Sequence, residues 1–378
     1  MSNKKIFWLA GEKSGDTHAS FVLKQIISEH PEYEHFGAGG PQMEKYGFKP
    51  LFPFHKFNVM GFAEVLKHIR FFYRTEKKIC DILDSEKPDL LILVDYPGLN
   101  LRIAKEAFMR RIPVLYFISP QFWAWKHKRV YKLAEFTTSV ASIIPFEADL
   151  LRSHRCSAEY VGHPISEEIN FTLSRQQFAE KFNLNPDKEW IGYFPGSRDQ
   201  EIEKMLPVFL ESLQKLDYNK YQALISKSSS VSNKLFADIL KKYDLPDLKI
   251  ADSNNYDMMR LSKLLVLTSG TATLEAAYIG TPSIITYKTN KISYEIGKRI
   301  VKIKHIGLPN IVMEKSILPE LIQDDASPEN IYSACIKLLE NENEYNKLKD
   351  ELKEVRQILG SKKCSVEVSR MVNELLNR

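Results

Sequence analysis

Short apolar runs recur along the chain, separated by longer stretches whose apolar residues return every three or four positions. Residues 6–10 (Ile-Phe-Trp-Leu-Ala) form the first run. The stretch after it carries Ala19, Val22, Leu23, Ile26 and Ile27, the spacing of a helix with one buried face. Residues 90–94, 114–118 and 140–144 are further runs, and 90–94 is unbroken, as a strand buried on both faces requires. A charged, less patterned stretch follows His163-Pro164 as far as Glu189. A second series then begins. Residues 190–194 predict a strand, and Ile202, Met205, Leu206, Phe209, Leu210 and Leu213 predict its helix. Residues 221–226, 248–251, 264–267 and 283–287 continue the strands. From Pro328 the pattern is helical, ending on the stripe Val368, Met371, Val372, Leu375 and Leu376. Two alternating series joined by one linker predict an α/β protein of two doubly wound domains. We place them at residues 1–165 and 166–360, with the helix of 361–378 packing back on the first. Ligands are expected at the carboxyl ends of the strands, with the cleft between domains as the default location.

Composition narrows this only a little. Hydrophobic residues at 44% and charged ones at 27% are ordinary for a globular chain of 378 residues. The net charge of +5 suits an anionic ligand or surface, and no dense Lys/Arg block points to nucleic acid. Cys80, Cys156, Cys335 and Cys364 are scattered, with no CxxC, so neither a disulfide framework nor a zinc site is expected. The apolar run at 6–10 is too short for a secretory leader, and none nears the ~20 residues that span a bilayer. A cytoplasmic location follows as an expectation.

The candidate chemistry sits where strands end. Thr268-Ser269-Gly270-Thr271-Ala272-Thr273-Leu274-Glu275 runs from the 264–267 strand into a helix. Its free backbone N–H groups and helix dipole favour a phosphate, and Glu275, about one turn inside, suits a sugar hydroxyl. An ordinary helix capped by Thr271 or Thr273 explains the same residues. Pro195-Gly196-Ser197-Arg198 follows the 190–194 strand: Gly196 admits close approach, and Arg198 adds a planar cation unless Glu201 takes it. In the first half, Gly11-Glu12-Lys13-Ser14-Gly15-Asp16-Thr17-His18 is richer in ionisable groups than a plain turn needs. Asp95 ends the 90–94 strand, where it either caps the next helix or serves as a general base. Trp123 and Trp125 read first as core, second as a wall for a sugar or acyl chain. Between 62 and 78, Val65, Leu66, Ile69, Phe72 and Tyr73 form a core-like stripe. Phe71 falls outside it, beside Lys67, Arg70, Arg74, Lys77 and Lys78, so the segment also suits a bilayer interface. No Asp-x-Asp, HExxH, Walker A or GxGxxG sequence occurs, so a metal clamp on a diphosphate is not supported.

Taken together, these segments resemble the lipid-A-disaccharide synthase family of Gram-negative bacteria. The resemblance runs in order through Gly11 to Asp16, Gly39-Gly40-Pro41-Gln42-Met43, Met60-Gly61-Phe62-Ala63-Glu64-Val65-Leu66 and Asp95-Tyr96-Pro97-Gly98-Leu99-Asn100. It continues through Ser119 to Trp125, Gly162-His163-Pro164, Pro195 to Arg198, Ser269 to Glu275, Pro309-Asn310-Ile311 and Pro319-Glu320-Leu321-Ile322-Gln323. Lys13 and Leu99 depart from the residues usual there. The resemblance implies a GT-B fold, two Rossmann-like domains facing across a cleft, and an inverting, metal-independent transfer without cofactor. It implies movement of 2,3-diacylglucosamine from its UDP derivative to the 6-hydroxyl of 2,3-diacylglucosamine 1-phosphate (lipid X). Asp95 becomes the expected base, with His18 and then Glu12 as runners-up, and Arg198 the expected diphosphate ligand. Substrate contacts are expected from Ser14, Gly15, Asp16, Asn100, Gly196, Ser197, Ser269, Gly270, Thr271, Thr273, Glu275, Asn310, Glu320 and Gln323. Membrane contact is expected from Phe71, Phe72, Lys67, Arg70 and Arg74, on the cytoplasmic face of the inner membrane. Some members pair as homodimers that exchange C-terminal segments; no nucleic-acid partner is implied. The fold also suits a nonhydrolysing UDP-N-acetylglucosamine 2-epimerase, or a nucleotide-sugar- or membrane-binding protein without catalysis.

Overall fold

The computed structural model describes residues 3–57, 69–124, 126–245, 247–290, 294–295 and 304–377, with the backbone alone at Ile69, Arg70 and Phe72. Contacts divide the chain into two compact units, Met1–Glu167 with Ser361–Arg378, and Glu168–Gly360.

The first unit is built on a parallel sheet of seven strands: β1 (Lys5–Ala10), β2 (Glu34–Ala38), β3 (Lys49–Pro50), β4 (Leu90–Val94), β5 (Val114–Phe117), β6 (Ser139–Ser142) and β7 (Ala158–Tyr160). Their order is β3-β2-β1-β4-β5-β6-β7. The unbroken apolar strand β4 lies centrally, all five residues buried. The helix Lys13–Glu29 turns Ala19, Val22, Leu23 and Ile26 inward, where they meet Val368, Met371, Val372, Leu375 and Leu376 of the helix Cys364–Leu376. Each Val, Leu, Ile or Met side chain so buried contributes roughly 1.5–3 kcal/mol, which ties the chain's last segment to its first helix.

The second unit repeats the plan with β8 (Glu189–Phe194), β9 (Tyr221–Ser226), β10 (Lys249–Ala251), β11 (Leu264–Thr268), β12 (Ser283–Tyr287) and β13 (Glu320–Ile322). The order is β10-β9-β8-β11-β12-β13, again parallel. The stripe from Ile202 to Leu213 forms the buried face of the helix Asp199–Leu213.

Four strands escape the apolar-run criterion: β2, β3, β7 and β13. They are short or partly polar. In β2, His35 is buried because its Nδ1 accepts the Trp8 indole N–H at 3.1 Å. The helix Ile69–Glu86 shows a different error. Phe71, expected off the core, packs edge-on against Phe57 at 5.5 Å, and Thr75, Ile79 and Leu83 continue that buried face. Tyr73, expected inside, is 72% exposed. The apolar stripe is therefore rotated from the one expected. Lys67, the segment 60–66 and the side chains of Arg70 and Phe72 lie outside the described residues, as does Trp125.

Candidate active site

Each sheet reverses its winding direction once, between β1 and β4 and between β8 and β11. Loops leaving those paired strands diverge to opposite faces and open a crevice at the carboxyl ends. The sequence motifs sit on these loops.

In the first unit Ala10 pairs with Val94, so Gly11 and Asp95 leave adjacent strands together. The helix Lys13–Glu29 begins at once, with Glu12 at its N-cap and no side-chain cap bond. Lys13 and Ser14 are exposed at its mouth, and Gly15 is buried, where an added Cβ would lie 3.6 Å from the Val94 side chain. Asp16 differs from expectation. It is buried, and its carboxylate accepts the N–H groups of Gly40, Gln42 and Met43 at 2.9–3.2 Å. It thus binds the start of the helix Pro41–Glu44, and a Cβ on Gly40 would strike it at 2.6 Å.

Asp95 is not a helix cap. Tyr96 holds the N-cap position of the helix Pro97–Met109, without a side-chain cap bond. Asp95 and Tyr96 both adopt φ of +47°, the left-handed region. Each such residue costs on the order of 1–3 kcal/mol unless its surroundings impose it. The imposing groups are visible. Asn100 Nδ2 donates to the Asp95 carbonyl at 2.6 Å and the Val94 carbonyl at 3.1 Å, and the Tyr116 hydroxyl donates to the Asp95 carbonyl at 2.7 Å. Asn100 is 0% exposed and clamps the turn. Burial raises the Asp95 carboxyl above its ordinary value, opposed by the Tyr96 N–H and the charges of His18 and Arg129. Glu12 and His18 are half-buried on the neighbouring loop and helix.

Two groups near Asp95 were not singled out in the sequence. Arg129 opens the helix Arg129–Phe136, half-buried, its guanidinium held below its ordinary range by burial while Tyr116 and Asp95 oppose this. Glu147, in the first turn of the helix Pro145–Ser153, is 1% exposed and accepts from Ser119, Ser142 and Trp123. Its signal was a carboxylate two residues past a strand-end proline, which alone reads as a helix-start charge. His163 is buried, its Nδ1 accepting from the Ile165 N–H at 3.2 Å, and burial with the nearby His18 lowers it to about 3.

In the second unit Phe194 pairs with Leu267, which brings the two remaining motifs side by side. Gly196 has φ +116°, and a Cβ there would run into Glu201. The Glu201 carboxylate accepts the Ser197 N–H at 2.9 Å and pairs with Arg198 Nη1 at 3.0 Å. The Arg198 side chain is 57% exposed. A carboxylate thus lies across the backbone donor and the cation expected to meet a phosphate. Gly270, extended and exposed, is the N-cap of the helix Thr271–Ile279, with no side-chain cap bond, and Thr271 is exposed beside it. Thr273 does not cap the helix: it is buried and its hydroxyl donates to the Gly270 carbonyl at 2.7 Å. Ser269 Oγ donates to the Ile306 carbonyl at 2.9 Å. Glu275 is half-buried, and its charge adds to the burial that raises the Tyr256 phenol.

Asn310, Glu320 and Gln323 bond to backbone within the second unit. Asn310 is fully buried, its amide N–H groups on the Leu318 carbonyl and Glu320, its oxygen on the Ile317 and Leu318 N–H groups. Glu320 also accepts from the N–H groups of Ile306 and Gly307 at 3.0 Å, and Gln323 Oε1 from the Thr289 N–H at 2.8 Å. These side chains brace backbone: residues 306–307 and 289 beyond β12. They support Ser269, which holds the same Ile306.

Known proteins are similar to the chain in sequence and in fold. The family model described as lipid-A-disaccharide synthetase matches residues 6–372. A lipid-A-disaccharide synthase of Nitrosococcus oceani is 37% identical over 355 residues, 93% of this chain and 92% of that protein. One of Geobacter metallireducens is 36% identical over 378 residues, covering 100% of this chain and 98% of the relative. Among solved structures, a putative UDP-N-acetylglucosamine 2-epimerase of Listeria monocytogenes superposes with a TM-score of 0.64 at 11% identity, covering 99% of this chain and 96% of that one. The calicheamicin glycosyltransferase does so with 0.65 at 12% identity, covering 100% and 99%. At such identities these structures share the GT-B fold with the chain, and nothing about its chemistry follows from them.

Proposed function

The chain belongs to the lipid-A-disaccharide synthase family, and from that membership we infer its reaction. It is a glycosyltransferase. It moves 2,3-diacylglucosamine from UDP-2,3-diacylglucosamine to the 6-hydroxyl of lipid X, forming the β-1′,6-linked disaccharide 1-phosphate and UDP.

Asp95 is the base in our reading. As the acceptor 6-oxygen attacks the anomeric carbon, its proton passes to Asp95. The anomeric C–O bond to phosphate breaks, and its electron pair leaves on UDP. One displacement inverts the centre, so no enzyme nucleophile is needed. The observation that carries this assignment is the pair of left-handed residues at Asp95 and Tyr96, held by Asn100 and Tyr116. A cap needs no such support, whereas a proton acceptor whose position must not drift does. Arg198 and the N-terminus of the helix Thr271–Ile279 meet the charge gathering on the diphosphate. Reaching it requires Arg198 to swing off Glu201. No Asp-x-Asp pair is present for a metal, so we propose metal-independent transfer, which predicts full activity in EDTA.

Incubation with both lipid substrates, followed by mass spectrometry, tests the reaction. The disaccharide 1-phosphate is expected, and its absence from the folded protein opposes the reading. Turnover of UDP-N-acetylglucosamine alone would support an epimerase instead.

Both substrates carry acyl chains, so we propose peripheral attachment to the cytoplasmic face of the inner membrane. No helix among the described residues is long and apolar enough to cross one. Exposed Tyr73, Arg74 and Lys77 on the helix Ile69–Glu86 support this contact, and Lys67, Arg70 and Phe72 are proposed for it from the sequence alone. Phe71 no longer does. Each cation near an anionic surface contributes on the order of 1 kcal/mol, screened by salt. Replacing Arg74 and Lys77 by alanine should weaken binding to anionic vesicles at low salt; unchanged binding opposes the contact. A homodimer stays a proposal from the family, read by sedimentation.

A further inference from the structure

A second carboxyl group lies near Asp95 and has no part in the chemistry above. Glu147 Oε1 accepts the Trp123 indole N–H at 2.7 Å. Its Oε2 accepts from Ser119 Oγ at 2.8 Å and Ser142 Oγ at 2.9 Å. Ser142 Oγ also lies 3.0 Å from the Ile144 carbonyl, and one hydroxyl proton cannot serve both. The network therefore closes in two ways. With Glu147 ionised, Ser142 points at the carboxylate, and the Ile144 carbonyl keeps the Glu147 N–H at 3.2 Å. With Glu147 protonated, its Oε2–H donates to Ser142 Oγ, and the Ser142 hydroxyl turns to donate to the Ile144 carbonyl. Ser119 and Trp123 stay bonded in both states.

What they belong to is the loop leaving β5. Its first residue, Ile118, has φ +65°, a conformation that β-branched residues avoid. The Trp123 ring packs edge-on against Phe146 at 5.2 Å. This loop adjoins the base: β4 pairs with β5 as far as Val94 with Phe117, and the Asp95 N–H donates to the Phe117 carbonyl at 2.9 Å.

We propose that Glu147 is a positioning residue for the transfer: by fastening Ser119 and Trp123 it fixes the wall beside Asp95 on which the acceptor sugar rests, in either of its protonation states. This rests on the reading of Asp95 as the base. Burial is the largest influence on Glu147 and raises it to about 7; its three donors lower it, and the Asp95 charge adds to the rise. On the elements around it, His18 and Arg129 act on Asp95, and β5 contributes Tyr116, which burial keeps neutral. Between the ordinary value of 4.5 and about 7 the folded protein holds a proton that the unfolded chain releases. Stability should therefore fall as pH rises across that window.

Two variants test this. Glu147→Gln can still accept from Trp123 and donate to both serines, but cannot ionise. It should keep near-normal turnover and lose the fall of Tm across the window. Glu147→Ala should lose turnover by about ten- to a hundredfold, as misplaced acceptor groups do, with KM raised for lipid X and not for the UDP-sugar. If Glu147→Ala does not fold, Trp123→Phe replaces it, with the same split in KM expected. The proposal is overturned by a folded Glu147→Ala of wild-type activity, by equal KM changes for both substrates, or by a Tm profile identical in wild type and Glu147→Gln. Asp95→Asn in parallel separates the readings: full activity there removes the base, while the Tm profile still reports on Glu147.

Discussion

The two winding-reversal points of this molecule are built in opposite ways. Around Asp95 the chain is forced into consecutive left-handed residues and locked by buried Asn100 and Tyr116. Around Gly270 and Arg198 it is open. Its helix N-termini lack side-chain caps, as those of the first unit do, but Gly270 and Thr271 are exposed and the arginine is held by an exposed pairing with Glu201. A rigid, partly desolvated carboxyl group suits proton transfer, where small displacements are costly. An open set of donors with a swinging cation suits a polyanion that must enter and leave. On that difference rests our proposal that the first unit carries the chemistry and the second retains the leaving group.

Four substitutions sharpen or break that contrast. Asp95→Asn should lower kcat by ~10²–10⁴, the usual contribution of a general base. In the wild type, activity should fall with acidification at a pH above the ordinary 3.8 of an aspartate, because burial raises this group. Steady-state rates across pH check both, and an acid limb unchanged in Asp95→Asn opposes the assignment. Arg198→Ala should lower turnover by about 10²–10³, the loss typical of removing one transition-state donor. Asn100→Ala strips partners from buried carbonyls of Val94 and Asp95 and should destabilise the first unit by about 1–3 kcal/mol, seen in denaturant melts. Unaltered stability would mean the turn holds without its clamp. Glu201→Gln should have the smallest effect. It removes a competing negative charge worth about 0.2–1 kcal/mol, so UDP should bind up to about fivefold more tightly.

The sheets were legible because apolar runs such as Leu90–Val94 have only one use at the centre of a parallel sheet. The strand-end location of Asp95, Ser197 and Gly270 was legible for the same reason. The division of labour among polar loop residues was not. Asp16 and Asn100 look the same in sequence whether they face a ligand or a backbone. The N–H groups that claim Asp16 begin 24 residues away at Gly40, and one carbonyl that Asn100 reaches belongs to Leu9, 91 residues distant. The bracing roles of Asn310, Glu320 and Gln323 were hidden likewise, because β13 is too short to announce itself and the backbone they hold is set by the fold. Phe71 was misplaced because a helical stripe read from Val65 carries its phase into residues whose true inner face begins one position away.

The central claim is that the two units divide binding from chemistry. Calorimetric titration of UDP into Asp95→Asn and Arg198→Ala tests it most directly. The account predicts wild-type affinity in Asp95→Asn and clearly weakened binding in Arg198→Ala. Loss of UDP binding in Asp95→Asn, with normal binding in Arg198→Ala, would contradict it.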